Sequence, residues 1–194
     1  MAANPDSPRF QPKKGLTLPS LDWVESPNVS DRLHGIAPFL VVVHRPVGSF
    51  SGALRTLTTK GTDVSAHVLT EHKSATQLVP WHRKAWTCKS FNSVSYNIEA
   101  DDNAWDGSDW DAFFTAAHIA AWLCHKTGIP PVWSRDPTNK PGVTRHLDLG
   151  VAGGGHTDPT SNLTIWKNFV KQVAHDVEHT GWRRTWGRGR LARI

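Results

Sequence analysis

Three places in the sequence carry residue types suited to chemistry. The first is His44, which closes the apolar run FLVVVH and is followed by Arg-Pro. A histidine at the end of a rigid buried strand is well placed to ligate a metal, because strand backbones hold ligand geometry better than loops. The second is the loop GVTRHLDLGVAGGGHTDPT, residues 142–160, which offers His146, Asp148, His156 and Asp158 around a glycine run. A catalytic zinc ion takes three protein ligands and leaves one position to solvent or substrate. A glycine-rich loop can bring two of these four side chains to one ion, and a polar surface loop would have the same composition. The third is Glu99, at the end of VSYNIE. A carboxylate facing a metal site can take a proton from water and pass it to a leaving nitrogen, although a single strand-end acid is more often just exposed.

The elements that hold these residues alternate between strand and helix. Residues 1–33, rich in Pro, Ser and Asp, read as an irregular arm. Phe39–His44 reads as a fully buried strand, and residues 51–60 as a short helix with Leu54 and Leu57 on one side. Val64–Thr70 and Thr76–Val79 look like a strand pair joined across Glu71–Ser74. In Val94–Glu99 the residues Val94, Tyr96 and Ile98 alternate with Ser95, Asn97 and Glu99, which predicts a half-buried strand with Glu99 on the less apolar face. Ser108 and Asp111 signal the start of a helix carrying Phe113, Ala117, Ala120, Ala121 and Cys124, which Gly128 and Pro130 end. A second helix starts near Asn162, with Trp166, Phe169, Val170, Val173 and Val177 along one stripe. The stretch 129–160 between them, dense in glycine and proline, is expected to be mostly loop.

The 194 residues suit one domain of ordinary size. The longest apolar stretch, Ile36–Val43, is strand-sized and broken by Pro38, so no transmembrane segment is expected. The first fifteen residues lack the apolar segment of a secretory signal peptide. Cys88 and Cys124 are too few for a disulfide framework and read as two unpaired thiols. The formal charge is +5, and residues 181–194 hold five arginines and no acid, so the body is neutral and the basicity belongs to the tail. Such a tail suits a polyanion or a merely solvated terminus equally. A neutral body argues against a specific nucleic-acid-binding protein. Ten tryptophans and eleven histidines are high counts for the length. Tryptophan packs cores and also lines sugar-binding grooves.

The order VVVH, VSAHVLTE, QLVPWHRKAW, SYNIE, RHLDLG and HTDP, spread over residues 37–175, resembles the type 2 zinc-dependent N-acetylmuramoyl-L-alanine amidases. Phage lysins and peptidoglycan-recognition proteins share that superfamily. The resemblance implies an α+β fold, a mixed central sheet flanked by helices, within residues 34–180. It implies Zn2+ held by His44, His146 and Asp158, and Glu99, in the family's S-I-G-I-E-like strand, as proton shuttle. The family's lysine two residues before the third ligand is here His156, which would take over stabilisation of the oxyanion. The chain has Ala66 where some members use tyrosine, and Thr87 where many relatives carry histidine after Ala-Trp. His67 falls on a position that is not usually a ligand and is expected to be structural or groove-lining. Trp81 and Trp86 are expected in a groove wall or in the core. The implied activity is hydrolysis of the muramoyl–L-alanine amide in bacterial peptidoglycan, by a monomeric phage endolysin held in the host cytoplasm until lysis. The alternative is a non-catalytic peptidoglycan-binding module of the same fold.

Overall fold

The computed structural model describes residues 21–179. The basic stretch 181–194 and the first twenty residues of the expected arm lie outside the described residues. The fold is α+β, with a six-stranded mixed sheet at its centre. The strands are β1 (Leu21–Trp23), β2 (Val29–Asp31), β3 (Leu40–His44), β4 (Val68–Glu71), β5 (Ser74–Gln77), β6 (Arg83–Ala85), β7 (Ser95–Glu99) and β8 (Gly142–Arg145). In the large sheet they run in the order β1-β5-β4-β7-β3-β8. Only the β4–β5 hairpin is antiparallel; the other neighbours in that sheet run parallel. β2 and β6 form a separate antiparallel pair. The helices are α1 (Phe50–Thr58), α2 (Trp110–Thr127), α3 (Gly150–Gly153) and α4 (Leu163–His179).

β3 is buried along its whole length because it lies between β7 and β8 with both faces covered. That is the environment a continuous β-branched run requires. Val41 and Val43 face α2 and α4 in the main core, while Leu40 and Val42 face a smaller cluster with Cys88, Phe91 and Leu149. α2 is the central helix of the main core. Its many alanines let it lie close to the sheet, and Trp166, Phe169, Val173 and Val177 of α4 pack with it. Gly128 ends α2 in a left-handed conformation that costs a residue without a side chain little. Asn162 caps α4 by accepting hydrogen bonds from the Thr164 and Ile165 amides. Among the described residues, no helix is long and apolar enough to cross a membrane.

Several expectations change. Part of the stretch read as an irregular arm is ordered: β1 adds a parallel edge strand beside β5, and β2 pairs with β6. The buried Ser26 and Asn28 fasten this stretch to the end of α1 and the following turn by hydrogen bonds to Leu57, Thr59 and Thr62. Polar side chains that bond locally in loops bond here across the fold, which composition does not reveal. The cap of α2 is Asp109, which accepts from the Ala112 amide at 3.0 Å, rather than Ser108. In α1 the inward residues are Ala53 and Leu57, with Leu54 half-buried.

The glycine- and proline-rich stretch also contains β8 and its pairing with β3. Gly142 opens that strand where the Val132 carbonyl comes so close that a Cβ would meet it at 2.5 Å. β7 is central rather than half-buried. Ser95 and Asn97 are fully inaccessible beneath the 3-10 turn Lys89–Val94 and bond to one another and their neighbours, so a polar face here marks an interior. Cys88 and Cys124 are both buried and form no disulfide.

Candidate metal centre

The parallel register of β3 and β7 sets His44 beside Glu99, after Val42 beside Asn97 and Leu40 beside Ser95. Paired residues in register point to the same face, so the two functional side chains emerge together at the strand ends on the side away from α2. β8 brings in the second histidine. It runs parallel to β3 and ends at Arg145, and His146 opens the 3-10 turn His146–Leu149 that follows. Asp158 arrives from the far side of the glycine run. Its carbonyl accepts from the Leu147 amide at 2.9 Å, and its Oδ2 accepts from the Arg45 amide at 3.2 Å.

Three side chains converge. His44 Nδ1 and His146 Nδ1 are 3.0 Å apart, His44 Nδ1 is 3.6 Å from Asp158 Oδ2, and His146 Nδ1 is 3.2 Å from Asp158 Oδ1. Ligands about 2.0–2.1 Å from a tetrahedral ion lie about 3.3 Å from one another, so these spacings fit one ion. Proton accounting supports the same conclusion. Nε2 of His44 faces the Asn97 Oδ1 acceptor at 3.0 Å, and Nε2 of His146 faces the Gly153 carbonyl at 2.9 Å. Each Nε2 therefore carries the proton, and two Nδ1 lone pairs point at one another. Burial, reinforced by His146, holds the His44 imidazole well below its usual range, so an extra proton does not bridge them. A divalent cation fits this donor set.

Asp158 stays ionised. Burial alone would raise its carboxyl, yet it lies below the ordinary carboxylate range, with the Arg45 amide donating to Oδ2 in support of the ionised form. Glu99 behaves oppositely: burial, then the Asp158 charge, push its carboxyl up to about 8. Its Oε2 is buried with no hydrogen-bond partner. An orphaned buried carboxyl oxygen beside a metal-type ligand set is poised to exchange a proton with whatever enters.

The entrance is a cleft of about 380 Å3. Val47, Ala53, Leu57 and Val64 form its apolar wall, and the three converging groups, Glu99 and His156 its polar end. The His156 ring stacks on His146 with centroids 4.3 Å apart, and its Nδ1 is 3.9 Å from Asp158 Oδ1. Its side chain is 58% exposed, so it borders the ion position from the solvent side.

Of the four possible ligands in the loop, Asp148 is not at the centre. It makes a paired contact with Arg145, at 2.6 and 3.0 Å, and accepts from Trp133 Nε1 at 2.9 Å. Arg145 also donates to the Thr160 carbonyl at 3.2 Å, tying the His146 turn to the segment after Asp158. His67 is structural: it is buried, its Nδ1 accepts from the Asn97 amide, and burial with the nearby Arg32 charge lowers its imidazole to about 3. Trp81 stacks on His67 and packs into the main core, and Trp86 donates to Ser30 Oγ, so neither lines this cleft. The Thr87 hydroxyl donates to the Ser65 carbonyl while the residue borders the cleft.

A second group, His72 with Asp109 and Asp111, also comes within ligand range. It is explained as surface ion pairing, since His72 faces one carboxylate from each ring nitrogen and Lys73 pairs with Asp111 at 3.2 Å.

Sequence reasoning did not single out Asn97, the Gly153 carbonyl, the Arg45 amide or the Arg145–Asp148 pair. The two-residue period puts Asn97 on the Glu99 side, which is a usable signal. The backbone groups leave none.

The family model described as N-acetylmuramoyl-L-alanine amidase matches residues 35–161, about two thirds of the chain and all five residues at the polar end of the cleft. The chain belongs to this family. N-acetylmuramoyl-L-alanine amidase A of Achromobacter lyticus is 29% identical over 93 residues, which are 46% of this chain and 52% of that protein. The chain thus spans about half the length of that curated relative. Among solved structures, the Staphylococcus aureus hydrolase AmiA in complex with its ligand is similar, with a TM-score of 0.71 at 15% identity over 88% of this chain and 94% of that one. A mutant endolysin from Bacillus subtilis has a TM-score of 0.60 at 21% identity over 80% and 99%. These likenesses show that the amidase fold covers most of the described residues.

Proposed function

We propose that this chain is a zinc-dependent N-acetylmuramoyl-L-alanine amidase that hydrolyses the amide joining the lactyl group of N-acetylmuramic acid to L-alanine in bacterial peptidoglycan. The observation that carries the reading is the convergence of His44, His146 and Asp158 with the unpartnered carboxyl of Glu99 at one end of one cleft. His44, His146 and Asp158 would hold the ion. A zinc ion supplies a Lewis acid for the amide carbonyl there.

The other roles belong to the chain's own groups. Glu99, whose proton affinity lies near neutrality, accepts in its ionised form a proton from the attacking water and returns it to the departing alanine nitrogen. His156 borders the carbonyl position from the solvent side and donates a hydrogen bond to the oxygen as negative charge develops on it. Asp158 keeps its charge through the reaction because its neighbours stabilise the ionised form. The apolar wall accepts the uncharged parts of the substrate and excludes water from the polar end. All three ligand positions are filled, which favours catalysis over the alternative of a binding module that has lost its metal.

Purified sacculi digested by the protein should release muropeptides with new L-alanine amino termini, identified by mass spectrometry. A chelator or Glu99→Gln should abolish the release. New reducing sugar ends or cut peptide cross-links would overturn the bond assignment. We further propose a phage lysin that reaches the wall only when a separate protein permeabilises the membrane. Cells expressing the chain alone should stay intact and lyse on adding a pore former, and lysis without one would refute that role.

A further inference from the structure

A histidine can ligate through either ring nitrogen, and something must decide which one His44 uses. The decision is traceable to two polar side chains beneath it. The Ser95 hydroxyl donates to the Phe91 carbonyl at 2.8 Å. That commits its single proton, and its 3.4 Å approach to Asn97 Oδ1 is too long to compete. Toward the Asn97 amide, Ser95 Oγ can therefore act only as acceptor, and it lies 3.1 Å from Nδ2.

The amide orientation follows. With Nδ2 turned to Ser95, Oδ1 faces His44 Nε2 at 3.0 Å. An amide oxygen accepts and never donates, so His44 carries its proton on Nε2 and presents a bare Nδ1 to the cleft. The buried Cys88 thiol donates to the same Oδ1 at 3.3 Å. The Asn97 backbone amide is held by His67 Nδ1 at 3.0 Å. Asn97 has no solvent exposure, so no water competes for any of these bonds.

We infer that Asn97 is a positioning residue of the metal centre: its side-chain amide, oriented by Ser95, fixes His44 as the Nε2–H tautomer that ligates through Nδ1. The inference rests on the metal-site reading above. An outer partner of a ligating histidine typically contributes about 10–100-fold in metal affinity.

Two measurements test it. Long-range 1H–15N spectra of the metal-free wild-type protein report which His44 nitrogen carries the proton, and the expected pattern is Nε2–H. Chelator competition gives zinc affinity for the wild type, Asn97→Leu, Asn97→Asp and Ser95→Ala. Asn97→Leu keeps side-chain size but loses the acceptor, and should bind zinc about 10–100-fold more weakly. Asn97→Asp keeps an acceptor facing Nε2 and should retain wild-type affinity. Ser95→Ala frees the amide to turn and should lose less than Asn97→Leu.

A metal-free wild type with His44 protonated on Nδ1 overturns the inference, whether or not any variant folds. So does an Asn97→Leu protein with unchanged zinc affinity. A wild type that takes up no zinc would instead sink the amidase reading, whereas normal uptake with the wrong tautomer sinks this inference alone.

Discussion

Glu99 should make the metal-free protein less stable as pH rises, and replacing it with glutamine should remove that dependence. Its carboxyl is raised from 4.5 to about 8 by burial and by Asp158. Between those values the folded protein keeps a proton that the unfolded chain releases. Stability attributable to this residue is therefore intact below pH 4.5, falls as pH rises, and reaches its minimum above pH 8. At ~1.4 kcal/mol for each pH unit between the two values, the loss is roughly 5 kcal/mol, a ceiling because an opened cleft would admit water. The glutamine side chain would be nearly isosteric, and any cost of leaving its amide unpaired does not vary with pH. The assay is denaturant unfolding of chelator-treated wild type and Glu99→Gln at about pH 5 and about pH 8, the window between the unfolded and folded values. The variant should gain several kcal/mol relative to wild type over that interval at constant denaturant slope. Loading zinc should narrow the gap, because a cation beside Asp158 offsets the second cause of the shift. Parallel pH dependence for the two metal-free proteins would refute the assignment of a protonated, desolvated Glu99.

Substitutions at three further residues have expected outcomes. Asp158→Ala should lose more zinc affinity than the roughly 10–100-fold typical of an outer partner, measured by chelator competition, because it removes a proposed direct ligand. His156→Ala should lower kcat on purified wall by about 10²–10³. His156→Lys should retain activity, because an ammonium donates the same hydrogen bond. Arg145→Met should destabilise the fold by up to about 3–5 kcal/mol in denaturant unfolding, since it removes the charged partner of the half-buried Asp148 carboxylate. It should also weaken zinc binding, because Arg145 joins the two segments that carry His146 and Asp158.

The elements with their own strong periodicity are legible in the sequence. β3 is a buried β-branched run, and α2 and α4 carry apolar stripes, a left-handed glycine and a side-chain cap, signals that depend only on neighbours in sequence. The short strands are not. β1, β2 and β8 have three or four residues each and become strands by pairing with distant partners, as in Leu21 with Ala75, Ser30 with Lys84 and Leu40 with Gly142. The polar residues of β7 look solvent-facing in sequence, yet they bond one another under a turn that folds over them.

The sequence by itself determined the ingredients: a strand-end histidine, a loop with two histidines and two aspartates, and a glutamate on an alternating strand. Residue types and short spacings suffice for that, because they limit which chemistry is available. Only the tertiary structure decided which of those groups meet. It brought His44, His146 and Asp158 together, turned Asp148 away to Arg145, and buried the Glu99 carboxyl beside them. Ligand geometry and proton affinity depend on distances and solvent exclusion between residues as far apart in the chain as His44 and Asp158, and no local pattern encodes those.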